Sequence, residues 1–253
     1  MKVAIALRTC DSVANYWNAE RVVKATKPEI VLTCLNSLAK SIKLSKHEII
    51  FSIHDDNSSA TTIKQIANIC NNFNIKTDFY NCEKLGNFKS QYRWVEHQEC
   101  DYIYCVEDDY LHTTNAIDNM VEICEHMQTF LPGEYAVYPF NNPHRYNSSD
   151  MLYPSYIIRG KDRYWRSSFH STHTFFISKN IFFKNKKIME FQAYEWPSLN
   201  ATEDNTINKI WREQEVRLLC PLDSIAYHLA DKTQEDDLND WKKSWEDNYY
   251  EVR

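Results

Sequence analysis

A chain of 253 residues that is 43% hydrophobic and 25% charged has the length for a sizeable core and the make-up of an ordinary globular protein. A net charge of −6 speaks against a dedicated nucleic-acid binder, which carries a basic surplus, and no hydrophobic segment approaches the length of a membrane span. With three glycines in all, Gly86, Gly133 and Gly160, the chain has neither a P-loop nor a GxGxxG fingerprint, since both need clustered glycines where phosphate approaches the backbone.

The apolar part of the N-terminus is too short for a signal peptide, and Lys2–Leu7 reads as a first strand. A polar, mostly irregular connection runs from Arg8 to Lys27. Between Glu29 and Ile42, Ile30, Val31, Leu35, Leu38, Ala39 and Ile42 recur at helical spacing. Glu48–Ile53 is a second predicted strand, followed by His54-Asp55-Asp56-Asn57-Ser58-Ser59 and a helix with Ile63, Ile66, Ile69, Cys70 and Phe73 on one side. Ile75–Tyr80 suggests a third strand, Ser90–Gln98 a helix, Tyr102–Val106 a strand buried on both faces, and Asn115–Met127 an amphipathic helix. Strand and helix alternate through this half, which implies a mostly parallel α/β sheet flanked by helices, with right-handed crossovers. The second half is a mixed-strand region: Tyr135–Phe140, Tyr156–Arg159, Thr174–Ser178 and Val216–Cys220 read as strands, and Thr202–Trp211 as a short helix. In the tail from Glu235, Trp241, Trp245 and Tyr249 recur every four residues, the spacing of a docked helix. Eight cysteines without a CxxC pair favour a reduced, cytoplasmic protein and speak against structural zinc. Scarce glycine with abundant Asn, Lys and Tyr points to an AT-rich coding genome; were the source viral, the compartment would be the host cytoplasm.

Glu107, Asp108 and Asp109 close the strand Tyr102–Val106, where ionised side chains have no packing role. Ligands of open α/β sheets sit at the carboxyl ends of inner strands, and adjacent carboxylates there suit a hard divalent cation, Mn2+ or Mg2+, completed by substrate phosphate. A helix first turn rich in acids is the plainer reading. Asp55 and Asp56 end the preceding parallel strand on the same edge. They can accept hydrogen bonds from a base or ribose, or the segment Asp56-Asn57-Ser58 can cap the next helix. Arg163, Arg166 and Lys161 can bind phosphate, and Tyr164 or Trp165 can stack on a sugar or base. His170 and His173 complete no zinc pattern and read as polar lining.

Taken in order, these motifs resemble a GT-A-fold glycosyltransferase of the family 2 type, over roughly residues 1–230. Asp55-Asp56-Asn57-Ser58 stands for the family's DD-x-S segment, Leu85-Gly86-Asn87-Phe88 for its small-residue turn, and Glu107-Asp108-Asp109 for its DxD, with glutamate in the first place. Glu203-Asp204 fits its downstream ED pair and His228 its metal histidine. The resemblance implies a GT-A, Rossmann-like fold in a single domain: a nucleotide-binding half at 1–130, an acceptor and catalytic half at 131–230, and a docked C-terminal helix at 231–253. It implies Asp109 and His228 as metal ligands, and Glu107 as a contact to the donor ribose or a metal-bound water. Arg8, Asp55, Asp56, Asp108, Arg163 and Arg166 are expected around the donor, with Asp11 near its base. Asp204, beside Glu203, is expected as the base of an inverting transfer; both acids are also what the first turn of a helix carries after Thr202.

The expected donor is a UDP- or GDP-linked sugar, and the acceptor a glycan or other hydroxyl-bearing molecule, with a nucleic-acid acceptor not favoured. A nucleotidyltransferase acting on a sugar phosphate, or a non-catalytic saccharide-binding protein on the same scaffold, are the alternatives. The first lacks its glycine-rich loop after the first strand here, and the second is at odds with the retained acids.

Overall fold

The computed structural model describes residues 1–12, 21–82, 86–147, 154–213, 216–230 and 240–252. Part of the Arg8–Lys27 connection, Leu85 of the small-residue turn and the Glu235 start of the tail lie outside the described residues.

The first half alternates as its periodicity predicts: β1 (Lys2–Thr9), α1 (Lys27–Leu44), β2 (Glu48–Asp56), α2 (Ala60–Asn72), β3 (Thr77–Cys82), α3 (Gly86–Glu96) and β4 (Tyr102–Val106). Val3–Leu7 and every residue of β4 are buried, as continuous apolar strands covered by helices on both faces should be. At the start of α1, Thr26 Oγ1 accepts from the Glu29 amide while Glu29 Oε2 accepts from the Thr26 amide at 2.7 Å, a capping box with Pro28 in the first turn. β2 runs three residues beyond its predicted end and takes in His54, Asp55 and Asp56. His54 is tolerated there because it is neutral: burial pushes its pKa down to about 3, and its ring nitrogens meet Ser52 and Ser90 at 2.9 and 2.8 Å. α3 begins four residues before the predicted start.

The second half adds β5 (Tyr110–His112), α4 (Ala116–Phe130), β6 (Glu134–Val137), β7 (Ile157–Arg159), β8 (Tyr164–Ser168), β9 (Phe175–Ser178), α5 (Lys179–Lys184), α6 (Lys186–Glu195), α7 (Ile207–Glu213), β10 (Val216–Pro221), β11 (Ala226–His228) and α8 (Trp241–Asn248). Among the described residues, nine strands form one sheet in the order β3-β2-β1-β4-β9-β6-β10-β8-β7. The expected parallel pairing holds from β3 to β4, and β6 and β10 are parallel within the mixed-strand half. β9 is antiparallel to β4 and to β6, and β8 is antiparallel to β10 and to β7, so the sheet as a whole is mixed. β9 enters the sheet between β4 and β6 from the edge at which β4 ends, so it runs antiparallel to both.

β5 and β11 form a separate antiparallel ribbon beyond the end of β4. Behind it, Trp241 of α8 is buried in a cluster with Ile30, Cys34, Leu111, Tyr227 and Leu229. The Tyr249 hydroxyl donates to Glu29 Oε1 at 2.6 Å, and Asn36 Nδ2 to the Asn248 carbonyl at 3.0 Å, so the last helix lies along α1. None of the eight cysteines, all of them described, forms a disulfide. Among the described residues, no helix is long and apolar enough to cross a membrane.

Candidate active site

The carboxyl ends of β1, β2 and β4 lie on one edge of the sheet, and β9, running the other way, brings the residues before Phe175 to the same edge. Each acid of the Glu107-Asp108-Asp109 triplet there has a different partner. Glu107 accepts from Arg8 Nη2 at 3.0 Å, from Thr172 Oγ1 at 3.0 Å and from Thr174 Oγ1 at 3.3 Å. Burial opposes its charge, yet His173 and Arg8 outweigh that and hold the carboxyl far below the usual range. The Arg8 guanidinium also sits over the Phe88 ring, 4.3 Å from its centroid. A ribose contact at Glu107 would therefore share oxygens already engaged by the protein.

Asp108 is buried, accepts from the Cys10 amide at 2.8 Å and forms an ion pair with Lys27 Nζ at the start of α1. Burial disfavours the ammonium, but Asp108 and Asp109 reverse that and raise the Lys27 pKa above the ordinary lysine value. Replacing Lys27 by Met leaves Asp108 buried without its counter-ion. The expected cost is about 3 kcal/mol, since removing one partner of a buried pair strands the other. Thermal melting of Lys27→Met reads it directly, and a Tm equal to the wild type would mean that Asp108 does not depend on the pair.

Asp109 faces the ribbon. Register places His228 opposite Tyr110, and the His228 Nε2 lies 3.4 Å from Asp109 Oδ1. Among the described residues that buried oxygen has the His228 ion pair and no close hydrogen bond. Burial again opposes the charge, and His228 and then Lys27 outweigh it, lowering the Asp109 pKa. A hard carboxylate oxygen left without a close hydrogen bond, beside an imidazole nitrogen, fits a divalent cation such as Mn2+ or Mg2+. Among the described residues no three His, Cys, Asp or Glu side chains form a full cage, so a cation held by Asp109 and His228 would draw further ligands from substrate phosphate.

The pair Glu203-Asp204 forms a single 3-10 turn ahead of α7. His173 connects it to the triplet: Nδ1 is 3.6 Å from Glu107 Oε1 and Nε2 is 3.5 Å from Glu203 Oε1. The His173 ring is buried between Phe88 and Trp196, at centroid distances of 4.7 and 4.6 Å. Asp204 points outward, with its side chain 64% exposed. Its Oδ1 takes Arg212 Nη2 at 2.8 Å and Asn208 Nδ2 at 3.0 Å, and His170 Nδ1 lies at 3.2 Å. Partial burial pulls the other way, but Asn208, Arg212 and His170 hold the Asp204 pKa below the ordinary value.

Other expected donor residues lie elsewhere or are engaged. Asp55 is fully buried; its oxygens accept from Thr9 Oγ1 at 2.7 Å and the Ser58 amide at 2.9 Å, so it braces the ends of β1 and β2. The cap of α2 is Ser59, not the Asp56-Asn57-Ser58 segment, and Asp11 Oδ2 adds to it by accepting from the Ser59 amide at 3.0 Å. Asp56 is half-buried at the end of β2. Arg163 and Arg166 belong to the β7–β8 hairpin, and β8 is four strand spacings from β4, about 19 Å laterally. Arg163 Nη1 donates to the Asp223 carbonyl at 2.9 Å, and Arg166 Nε to Asn141 Oδ1 at 3.0 Å. Trp165 is core, not a stacking platform, packed so close to Gly160 that a Cβ there would meet its Nε1 at 2.7 Å. Lys27, Thr172 and His173 are at the site without belonging to a motif. The signal for the last two is their place just ahead of the buried run Phe175–Ile177, whose strand pairs with β4.

The sequence model of glycosyl transferase family 2 matches residues 24–185, from the approach to α1 through β9 and α5. The chain belongs to glycosyl transferase family 2. The match within the family ends before Glu203, Asp204 and His228. No curated protein sequence matches significantly. The crystal structure of S. aureus TarS superposes with a TM-score of 0.57 at 14% identity, over 91% of this chain and 37% of TarS. TarS 1-349 gives 0.57 at 14% identity over 90% of this chain and 60% of that one. The same TarS segment in complex with UDP-GlcNAc gives 0.53 at 14% identity, over 86% and 56%. The likeness is one of fold, and the chain spans less than two thirds of these TarS structures.

Proposed function

We propose that this family 2 member transfers a sugar from a nucleoside diphosphate donor to an acceptor hydroxyl, with inversion and with help from Mn2+ or Mg2+. The observation that carries the reading is the buried Oδ1 of Asp109, which among the described residues has no close hydrogen bond and lies 3.4 Å from His228 Nε2, at the carboxyl edge of the sheet. When bound, the cation would stabilise the charge that develops on the leaving diphosphate. Asp109 and His228 would hold it. Lys27 fixes Asp108, and Arg8 fixes Glu107, so the donor meets a rigid edge. On the other side of His173, Asp204 would take the proton of the acceptor hydroxyl as that oxygen attacks the anomeric carbon. Its position on an exposed turn leaves room for an acceptor. In this reading residues 1–253 are one catalytic unit, with donor chemistry in 1–130, acceptor chemistry in 131–230 and the α8 region as a brace.

A UDP-linked donor is proposed first, because TarS, which shares the fold, is known in complex with UDP-GlcNAc. Incubation with a panel of UDP- and GDP-sugars, with and without Mn2+, tests the reading by release of nucleoside diphosphate. Cation-dependent release supports it. Pyrophosphate release from a nucleoside triphosphate in its place would reassign the site to nucleotidyl transfer.

A further inference from the structure

Tyr110 is fully buried at the start of β5, directly across the ribbon from His228. The two rings lie face to face, with centroids 4.5 Å apart and planes 14° apart. Phe140 meets the same imidazole edge-on, at 6.1 Å and 74°. The imidazole is thus held between two aromatic rings. The Tyr110 hydroxyl lies 2.8 Å from Thr172 Oγ1 and 3.1 Å from the Tyr138 hydroxyl.

The direction of that chain follows from proton counting. Thr172 has one hydroxyl proton and gives it to Glu107 Oε2 at 3.0 Å, because a carboxylate can only accept. Tyr110 must therefore donate to Thr172, and Tyr138 to Tyr110. One side chain thus touches both halves of the site, with its ring on His228 and its hydroxyl, through Thr172, on Glu107.

We propose that Tyr110 is a positioning residue that presents His228 to the divalent cation with its ring and orients Glu107 with its hydroxyl. The proposal rests on the reading of Asp109 and His228 as cation ligands. Partners that orient a metal-binding imidazole typically account for 10- to 100-fold in metal affinity, because the ligand otherwise loses its preset geometry. A tyrosine serving only as core filler would affect stability and leave metal affinity alone.

Two variants separate the roles. Tyr110→Phe keeps the ring and loses the hydroxyl, while Tyr110→Leu loses both. Mn2+ is titrated into each protein with UDP, and separately with GDP, and free Mn2+ is followed by electron paramagnetic resonance. Tyr110→Leu should bind Mn2+ about 10- to 100-fold more weakly, with Tyr110→Phe within about threefold of the wild type. In turnover assays, Tyr110→Phe should lower kcat about tenfold at an unchanged Mn2+ requirement, the effect of one lost hydrogen bond to the chain behind Glu107. Should Tyr110→Leu fail to fold, the split between kcat and Mn2+ affinity in Tyr110→Phe still decides. Wild-type Mn2+ affinity in Tyr110→Leu, or equal loss of affinity in both variants, overturns the proposal and leaves the functional reading standing. A wild-type protein that binds no Mn2+ with either nucleotide overturns both.

Discussion

An Asp109→Asn variant is expected to release nucleoside diphosphate about a thousandfold more slowly than the wild type, a loss of about 4 kcal/mol of transition-state stabilisation. The size follows from how the triplet is divided. Asp108 is neutralised by Lys27, and Glu107 is shared among Arg8, Thr172 and Thr174, so Asp109 is the one carboxylate of the three with a buried oxygen that has no close hydrogen bond among the described residues. An amide in its place keeps the volume and removes the charge a divalent cation needs. Because that oxygen's one printed contact is a long ion pair with His228, at 3.4 Å, and the amide keeps the volume, Asp109→Asn should melt within a few degrees of the wild type. Catalysis and folding thereby separate in one variant. The assay is diphosphate release across a Mn2+ series with Tm measured in parallel; turnover within tenfold of the wild type at every Mn2+ concentration would remove Asp109 from the role.

The triplet could be singled out from sequence because three acids cannot follow five buried apolar residues without a purpose. Its division among partners could not, since Lys27 is 81 positions from Asp108 and Arg8 is 99 from Glu107. Such pairs are set by the register of parallel strands and the entry of α1, and neither leaves a local pattern. Asp55 shows what the sequence alone does not carry. Its neighbourhood in sequence matches a donor segment, while its fully buried carboxylate serves as a brace between strand ends. The basic run around Arg163 and Arg166 lies apart from the triplet because closeness in sequence to Thr172–Thr174 is not closeness in the sheet. In the sheet order the hairpin lies at the far edge, beyond β9, β6 and β10. The first-half helices and strands were legible because each carries its own period. β8 was not, because Tyr164-Trp165-Arg166-Ser167-Ser168 is held by pairing with β10 and by one buried indole, with no run of apolar residues.

Asp204→Asn is the second large effect, an expected loss of about a thousandfold in sugar transfer with donor affinity within about threefold of the wild type. A missing general base costs in the transition state alone, and Asp204 stands on an exposed turn, with its side chain 64% exposed, while the buried Asp109–His228 pair lies on the ribbon. Three groups converge on its Oδ1, which leaves Oδ2 as the oxygen for an acceptor proton. The same contacts lower its pKa, so Asp204 stays ionised as pH falls from neutral and loses its charge only below the ordinary aspartate value of 3.8. Transfer should therefore show no acid limb from this group between pH 7 and about pH 5. Glu203 makes the informative contrast. Its Oε1 faces His173, which in turn faces Glu107, so Glu203→Gln disturbs the link between donor and acceptor sides without removing the base. It should cost about tenfold, and Asp204→Asn should exceed it by two orders of magnitude. The reverse ranking, measured as sugar transfer at saturating donor, would make Glu203 the base and Asp204 its neighbour.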